Sequence, residues 1–207
     1  MNRIKVLLTI VLSALTLSAA AQYSQLGKTN EFMLKLELGY APFVGNVGEA
    51  GEHGFYLNKF HNAAGLNAMA GVNISQDWFV GGGAGFSYFH NFKQGVVTPM
   101  MGATLFADVD FRPIWQGLMG VDYQPATIKW APLVGLRAGA SILMGESEPA
   151  GYGTTLTPMA EFYGGINWYY MHGLRNMSHN WHALYATIGV AYMQQTVFLP
   201  VRIGWRW

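Results

Sequence analysis

Apolar and polar side chains alternate with a period of two through most of this chain, and the last eleven residues (VFLPVRIGWRW) show it most cleanly. Val197, Leu199, Val201, Ile203, Trp205 and Trp207 share one face, and Phe198, Pro200, Arg202, Gly204 and Arg206 share the other. That spacing predicts a strand with one greasy and one polar side. An exposed edge strand carrying two Trp and two Arg would invite aggregation of a soluble domain. In a closed wall its edges are paired, its apolar face meets hydrocarbon and its polar face meets the lumen.

The same alternation predicts seven earlier strands. Over 32–40, Phe32, Leu34, Leu36, Leu38 and Tyr40 oppose Met33, Lys35, Glu37 and Gly39. Further strands are predicted over 60–74, 78–89, 99–111, 130–144, 155–170 and 181–193, before the closing strand at 197–207. Polar, Gly-rich stretches at 41–59, 90–98 and 145–154 read as loops on the outer side. The segments 75–77, 112–129 and 171–180 fall on the other side, and 194–196 leads into the last strand. The stretch 112–129 holds Pro113 and Pro125 and is long for a side where such barrels keep short turns. An even strand count brings both ends to one side. The expected fold is all-β, an eight-stranded antiparallel transmembrane up-and-down β-barrel spanning 22–207.

Residues 1–21 stand apart. Arg3 and Lys5 precede an apolar run that thins to Ser18-Ala19-Ala20-Ala21-Gln22, the pattern of a secretory signal peptide cleaved near Ala21. Its removal takes two of the 12 basic residues and none of the 11 acidic ones, so the mature chain is near neutral and has no basic surplus to draw nucleic acid. There is no Cys, hence no disulfide framework, thiolate chemistry or lipoprotein acylation site. Charged residues make up 11% of the chain, against about 25% in soluble domains. Apolar residues reach 51%, yet no stretch after the signal resembles a 20-residue apolar helix. Strands with membrane on one side reconcile these facts.

The strand charges fall on the inward positions: Lys35, Arg137, Arg202 and Arg206 with Glu37, Asp108, Asp110 and Glu161. An Arg or Lys on the lipid side would cost about 2–4 kcal/mol at the midplane, whereas inside a narrow lumen the ions can pair. A salt-bridged lumen charge network that orders the barrel is expected rather than a conduit, since eight strands leave an interior just wide enough for side chains. Gly81, Gly83, Gly85, Gly102, Gly135, Gly139, Gly189 and Gly204 share the inward positions and make room for long neighbours. The Trp residues gather at the periplasmic strand ends. Trp78, Trp130, Trp168, Trp181, Trp205 and Trp207, with Trp115 beside them, read as a membrane-interface girdle. Tyr40, Phe60, Tyr88, Tyr152 and Tyr192 supply the opposite rim.

Little here points to catalysis. Gly81-Gly82-Gly83-Ala84-Gly85 lacks the following helix and the Gly-Lys-Ser/Thr of a phosphate loop. His53, His61, His90, His172, His179 and His182 match no metal-ligand spacing. His61 and Ser87 point inward near the outer ends of neighbouring strands, the one arrangement suited to lipid-modifying chemistry, and a solvated rim His is the plainer reading. Glu37 and Asp108 would make an acid–base pair only without the Arg residues around them. No catalytic residue, metal or cofactor is assigned.

With the strands laid out, Ala21-Gln22, Leu105-Phe106-Ala107-Asp108-Val109-Asp110-Phe111, the run from Ala131 to Ser141 (APLVGLRAGAS) and Leu199-Pro200-Val201-Arg202-Ile203-Gly204-Trp205 carry a resemblance. The chain resembles the small outer-membrane β-barrels of Bacteroidetes-type bacteria, the PorT-like or OmpX-type group. The resemblance implies an eight-stranded barrel whose last strand is read by the outer-membrane assembly machinery, and it brings no catalytic residues. The function expected is structural or interactive, exercised at the cell envelope through the outer loops, with the bilayer as the immediate partner. The alternatives are a lipid-modifying outer-membrane enzyme, a narrow pore and a soluble lipocalin-like carrier.

Overall fold

The computed structural model describes residues 31–48, 57, 61–74, 78–91, 100–112, 130–147, 151–170 and 182–207. Every regular element among them is a strand: β1 (Glu31–Ala41), β2 (Phe43–Asn46), β3 (His61–Asn73), β4 (Trp78–Asn91), β5 (Met100–Phe111), β6 (Trp130–Ser147), β7 (Gly151–Tyr170), β8 (His182–Met193), β9 (Thr196–Phe198) and β10 (Val201–Arg206). All pair antiparallel, and β10 lies between β8 and β1, so the sheet closes on itself.

The wall has eight staves, because two of them are split by proline. Pro42 separates β1 from β2, and Leu199–Pro200 separates β9 from β10. Proline lacks the N–H a ladder needs but keeps its carbonyl. Leu199 N donates to the Pro42 carbonyl at 3.0 Å and Gly189 N to the Pro200 carbonyl at 2.9 Å. The register crosses both breaks unchanged, from Tyr40 opposite Val201 to Phe43 opposite Phe198. At the other end of this seam, Leu34 and the final residue Trp207 exchange backbone hydrogen bonds of 2.9 and 3.1 Å.

The stagger can be read from the pairings. From Met33, successive partners are Gly71, Gly81, Asp108, Arg137, Glu161, Ala191, Phe198 and then Phe43, ten residues further along the starting stave. With a rise of about 3.3 Å per residue and strands about 4.8 Å apart, that shear tilts the staves roughly 40° to the axis. The bore is therefore narrow, and its contents are side chains.

Several strands run further than the alternation predicts. The expected loop at 41–59 starts later, since Phe43–Asn46 continues the first stave. His90 and Asn91 belong to β4, and the expected loop at 145–154 is largely hairpin, with Ser147 opposite Gly151. Gly- and Thr-rich segments look like loops in a sequence, but backbone pairing above the apolar belt needs no apolar side chains. Gln194 and Gln195 form a two-residue turn with φ of 54° and 58°, and Met193 pairs with Thr196 across it. Both φ are left-handed, as a type I′ hairpin requires. The expected signal peptide over 1–21, the turn at 75–77, residues 113–129 and the segment 171–180 lie outside the described residues.

The two faces differ sharply. Phe32, Leu38, Leu105, Leu156, Phe162, Ile166, Ile188 and Ile203 stand exposed on the outer surface of the wall. The interior is layered. Toward the rim that carries Glu31 and Trp207, here the terminal rim, it is ionic. Toward the opposite rim it is apolar: Leu57, Phe89, Met100, Leu143, Met159, Met193 and Phe198 form one buried cluster, with Phe43 packed against it. Gln194 folds inward over this cluster and donates to the Ser141 carbonyl at 3.1 Å.

Candidate functional site

The ionic layer is built from inward positions of facing staves. Asp108, Arg137 and Glu161 are consecutive cross-strand partners on β5, β6 and β7. Lys35 and Glu37 enter from β1, on the far side of the bore. Arg137 spans the gap between them. Its two terminal nitrogens donate to both Glu37 oxygens, at 2.7 and 2.5 Å, and its Nε donates to Asp108 at 2.9 Å. The planar fork suits this two-pronged grip on one carboxylate while a third nitrogen holds another.

Each carboxylate has several donors. Asp108 also accepts from Lys35 Nζ at 2.8 Å and the Tyr163 hydroxyl at 2.7 Å. Glu37 also accepts from the Tyr185 hydroxyl at 2.8 Å and Asn67 at 3.2 Å. Asp110 contacts Lys35 and, at 2.9 Å, Arg112 Nε. Glu161 is held by Arg202, with Arg137 3.9 Å away. The Lys35 ammonium sits 3.6 Å over the Phe79 ring, and the Arg137 guanidinium lies 4.5 Å from the Tyr163 ring centre. Such contacts offset part of the cost of removing these ions from water.

Two glycines make the tyrosine bonds possible. Gly135 is the cross-strand partner of Tyr163 and Gly204 that of Tyr185. A Cβ at either would collide with the tyrosine ring beside it. Each ring thus lies flat across its neighbour's bare backbone and carries its hydroxyl to a carboxylate on a further stave. Gly135→Ala is expected to destabilise the barrel by about 1–3 kcal/mol as the ring is displaced. Gly164→Ala, where a Cβ would meet only the Leu133 carbonyl at an ordinary 3.6 Å, should stay within about 0.5 kcal/mol. Urea titration of the two variants side by side checks the contrast.

Of the expected network, Lys35, Glu37, Asp108, Asp110, Arg137, Glu161 and Arg206 are buried, and Arg202 keeps 14% of its side chain open. Arg206 is bonded to Asn167 and lies 5.1 Å from the Tyr185 ring centre. Arg112, buried and donating to Asn73 at 2.5 Å, was not expected. Its even number continues the inward series of Asp108 and Asp110, but Pro113 made it look like loop. Tyr185 was missed too, although it shares a face with Ala183 and Thr187.

Among the tryptophans, Trp78, Trp168, Trp205 and Trp207 are exposed near the terminal rim. Trp78 packs on Phe111 at 4.7 Å, and Trp205 on Trp207 at 4.8 Å. Trp130 is opposite Trp168 in register. The Trp130 side chain, Trp115 and Trp181 lie outside the described residues. On the outer surface toward the opposite rim, His90 packs between Tyr40 and Tyr88, at 5.8 and 6.2 Å.

The pair suited to lipid chemistry is not assembled. His61 faces Asn91, while Ser87 faces Gly65, four residues along the strand, about 13 Å at the usual rise. Glu37 and Asp108 are both gripped by Arg137, which leaves neither as a poised acid. Among the described residues no group of His and carboxylates has metal-binding geometry.

Comparison with known proteins gives fold and no more. No protein-family model matches the sequence. No curated protein matches it either. Among solved structures, similar chains are small eight-stranded outer-membrane barrels. Surface protein A of Neisseria (NspA) superposes with a TM-score of 0.55 at 12% identity, over 87% of this chain and 98% of that one. Ail, the attachment invasion locus protein of Yersinia pestis, gives 0.43 at 16% identity, over 86% and 99%. The N-terminal barrel domain of OprF from Pseudomonas aeruginosa gives 0.43 at 12%, over 84% and 97%. The eight-stranded antiparallel barrel expected from the alternation is the fold observed.

Proposed function

We propose that this chain is a sealed outer-membrane barrel of a Gram-negative bacterium, of the PorT-like or OmpX-type group, that serves the cell envelope as a structural or interaction protein. One observation carries the reading: every charged side chain described on the wall points into the bore, while the exterior is dominated by Leu, Ile, Val, Phe, Trp, Met and Ala, with Tyr40 and Tyr88 toward one rim. A water-soluble carrier needs the reverse, an apolar bore inside a charged coat. In a bilayer the same distribution is the stable one.

The interior argues against transport. An ion entering from the terminal rim meets four carboxylates already held by Lys and Arg, and beyond them a dry cluster of Met, Phe and Leu. What remains available to partners is the exterior and the segments that join the staves beyond the membrane. In this reading residues 1–21 are removed at export near Ala21, and the strand at 197–207 is the signal read by the assembly machinery. The terminal rim then faces the periplasm, and its exposed tryptophans sit at the membrane interface.

The test is electrical. Purified protein reconstituted in planar bilayers is expected to give no steady current above the bare membrane in molar salt. A persistent single-channel conductance would overturn the sealed barrel.

A further inference from the structure

The last stave is bonded unevenly along its length. In an antiparallel ladder a bonded pair exchanges two hydrogen bonds. Leu199 N donates to the Pro42 carbonyl on one flank and Gly189 N to the Pro200 carbonyl on the other, at 3.0 and 2.9 Å. Neither bond is returned, because Pro42 and Pro200 carry no N–H. The Leu199 and Gly189 carbonyls, one on each side of this stave, therefore lack the donors that a ladder supplies. The other prolines described in the wall lie past the end of one of their ladders. Pro132 is beyond the last β5–β6 pair, and Pro158 is beyond the last β7–β8 pair.

Toward the terminal rim from these gaps, β10 keeps six consecutive pairs on each side. Toward the opposite rim the stave is short. Residues 196–198 make three pairs with β8 and three with β2, and the ladder to β2 skips Val44. The segment ends in the Gln194–Gln195 turn, where both left-handed positions lack the glycine or asparagine that such a turn favours. Residues 194–199 thus form a flap with Pro200 at its hinge. In a bilayer no water replaces a missing ladder bond, and the least-bonded segments of a fold open locally before the rest.

What the flap covers is apolar. Phe198 on its inner face is fully buried in the cluster that holds Met159 and Met193. Its ring meets that of Phe43, across the seam, edge-on at 6.3 Å. On the outer face beside the seam, Tyr40, Leu199 and Val201 stand exposed. Parting the flap from β2 joins the inner cluster to the outside without crossing the ionic layer.

We propose that this flap opens sideways from the first stave and admits the hydrocarbon tail of a membrane lipid to the apolar cluster. The inference rests on the membrane reading above. The occupant is an acyl chain because hydrocarbon is what the outer face beside the seam then meets, and because both sides of the opening are apolar. Ions gain no path, since the opening leads from the bilayer core to a cluster of Met, Phe and Leu.

The experiment uses the full-length mature barrel in phosphatidylcholine vesicles containing palmitic acid with a diazirine at mid-tail. After illumination, adducts are mapped by mass spectrometry. They are expected on outward Leu199 and Val201 and also on inward Phe198, Met193 or Phe43. Pro42→Ala with Pro200→Ala supplies both missing donors. It should cut the inward adducts by about fivefold or more, the worth of a regained hydrogen bond, and leave the outward ones unchanged. Pro42→Ala alone should give a smaller loss, and serves if the double variant does not fold. Outward adducts with none inward, or inward adducts undiminished in a folded proline variant, would overturn the flap and leave the membrane reading standing. A protein with no adducts on either face would overturn both.

Discussion

Arg137→Met is expected to cost about 3–5 kcal/mol of barrel stability, the range for removing one partner of a buried ion pair. The lower end is favoured here, because Glu37 keeps Tyr185 and Asn67 and Asp108 keeps Lys35 and Tyr163. What the variant loses is the side chain that hydrogen-bonds Glu37 and Asp108 across the bore at once. Arg137→Lys should recover only part of the loss, since an ammonium cannot grip both Glu37 oxygens and Asp108 together. The informative variant is the double one. Adding Glu37→Gln to Arg137→Met removes the stranded charge and should restore more than about 1 kcal/mol, a positive coupling that independent sites do not show. Urea titration of refolding into lipid vesicles, read by gel mobility and Trp fluorescence, measures all three. If the second substitution only adds to the damage, Arg137 contributes by packing on Tyr163 and Phe106 rather than by pairing.

Sidedness was legible in the sequence because a strand gives it away at a period of two, with apolar and charged side chains on opposite faces. The alternation that separates Leu36 from Glu37, or Ile203 from Arg202, reports which side is the apolar exterior and which faces the bore before any partner strand is known. Pairing across the bore was not legible. Nothing in the sequence joins Arg137 to Glu37, which lie a hundred residues apart. Their meeting follows from the shear, and the shear follows from where each hairpin turns. Two such turns were misjudged for a common reason. Pro42 and the glycines at 145–153 signal loops when each strand is read alone, but a neighbour with a full set of donors and acceptors carries the ladder through them. The Gln194–Gln195 turn lacks the Asn-Gly pair that marks a type I′ hairpin, and the apolar layer beneath it was missed with it. Inward-facing Met159, Met193 and Phe198 alternate with outward apolar neighbours, so the period-two signal vanishes where both faces are greasy. Arg112 was lost to Pro113, although proline is unremarkable just past a strand's last residue.

Leu105→Arg should destabilise the barrel by about 2–4 kcal/mol in a bilayer, while Phe32→Arg near the terminal rim should cost about 0–1 kcal/mol. Both side chains are outward and about equally exposed, at 69% and 67%, so exposure does not distinguish them. Depth does: Leu105 sits midway along β5, between Met100 and Phe111, and Phe32 is the second residue of β1. A guanidinium at mid-depth must abandon its water or drag water and headgroups inward, whereas one at the rim reaches the interface by extending its own stem. The two readings of the chain therefore predict different patterns from the same pair of variants. If the exterior met water, both substitutions would replace an exposed apolar group with a charge and change stability by no more than about 0.5 kcal/mol. Folding titrations in vesicles expose a depth gradient directly. Equal, near-zero costs at positions 32 and 105 would remove the membrane from the account, and with it the reason for nine ionic side chains to be packed inside a bore this narrow.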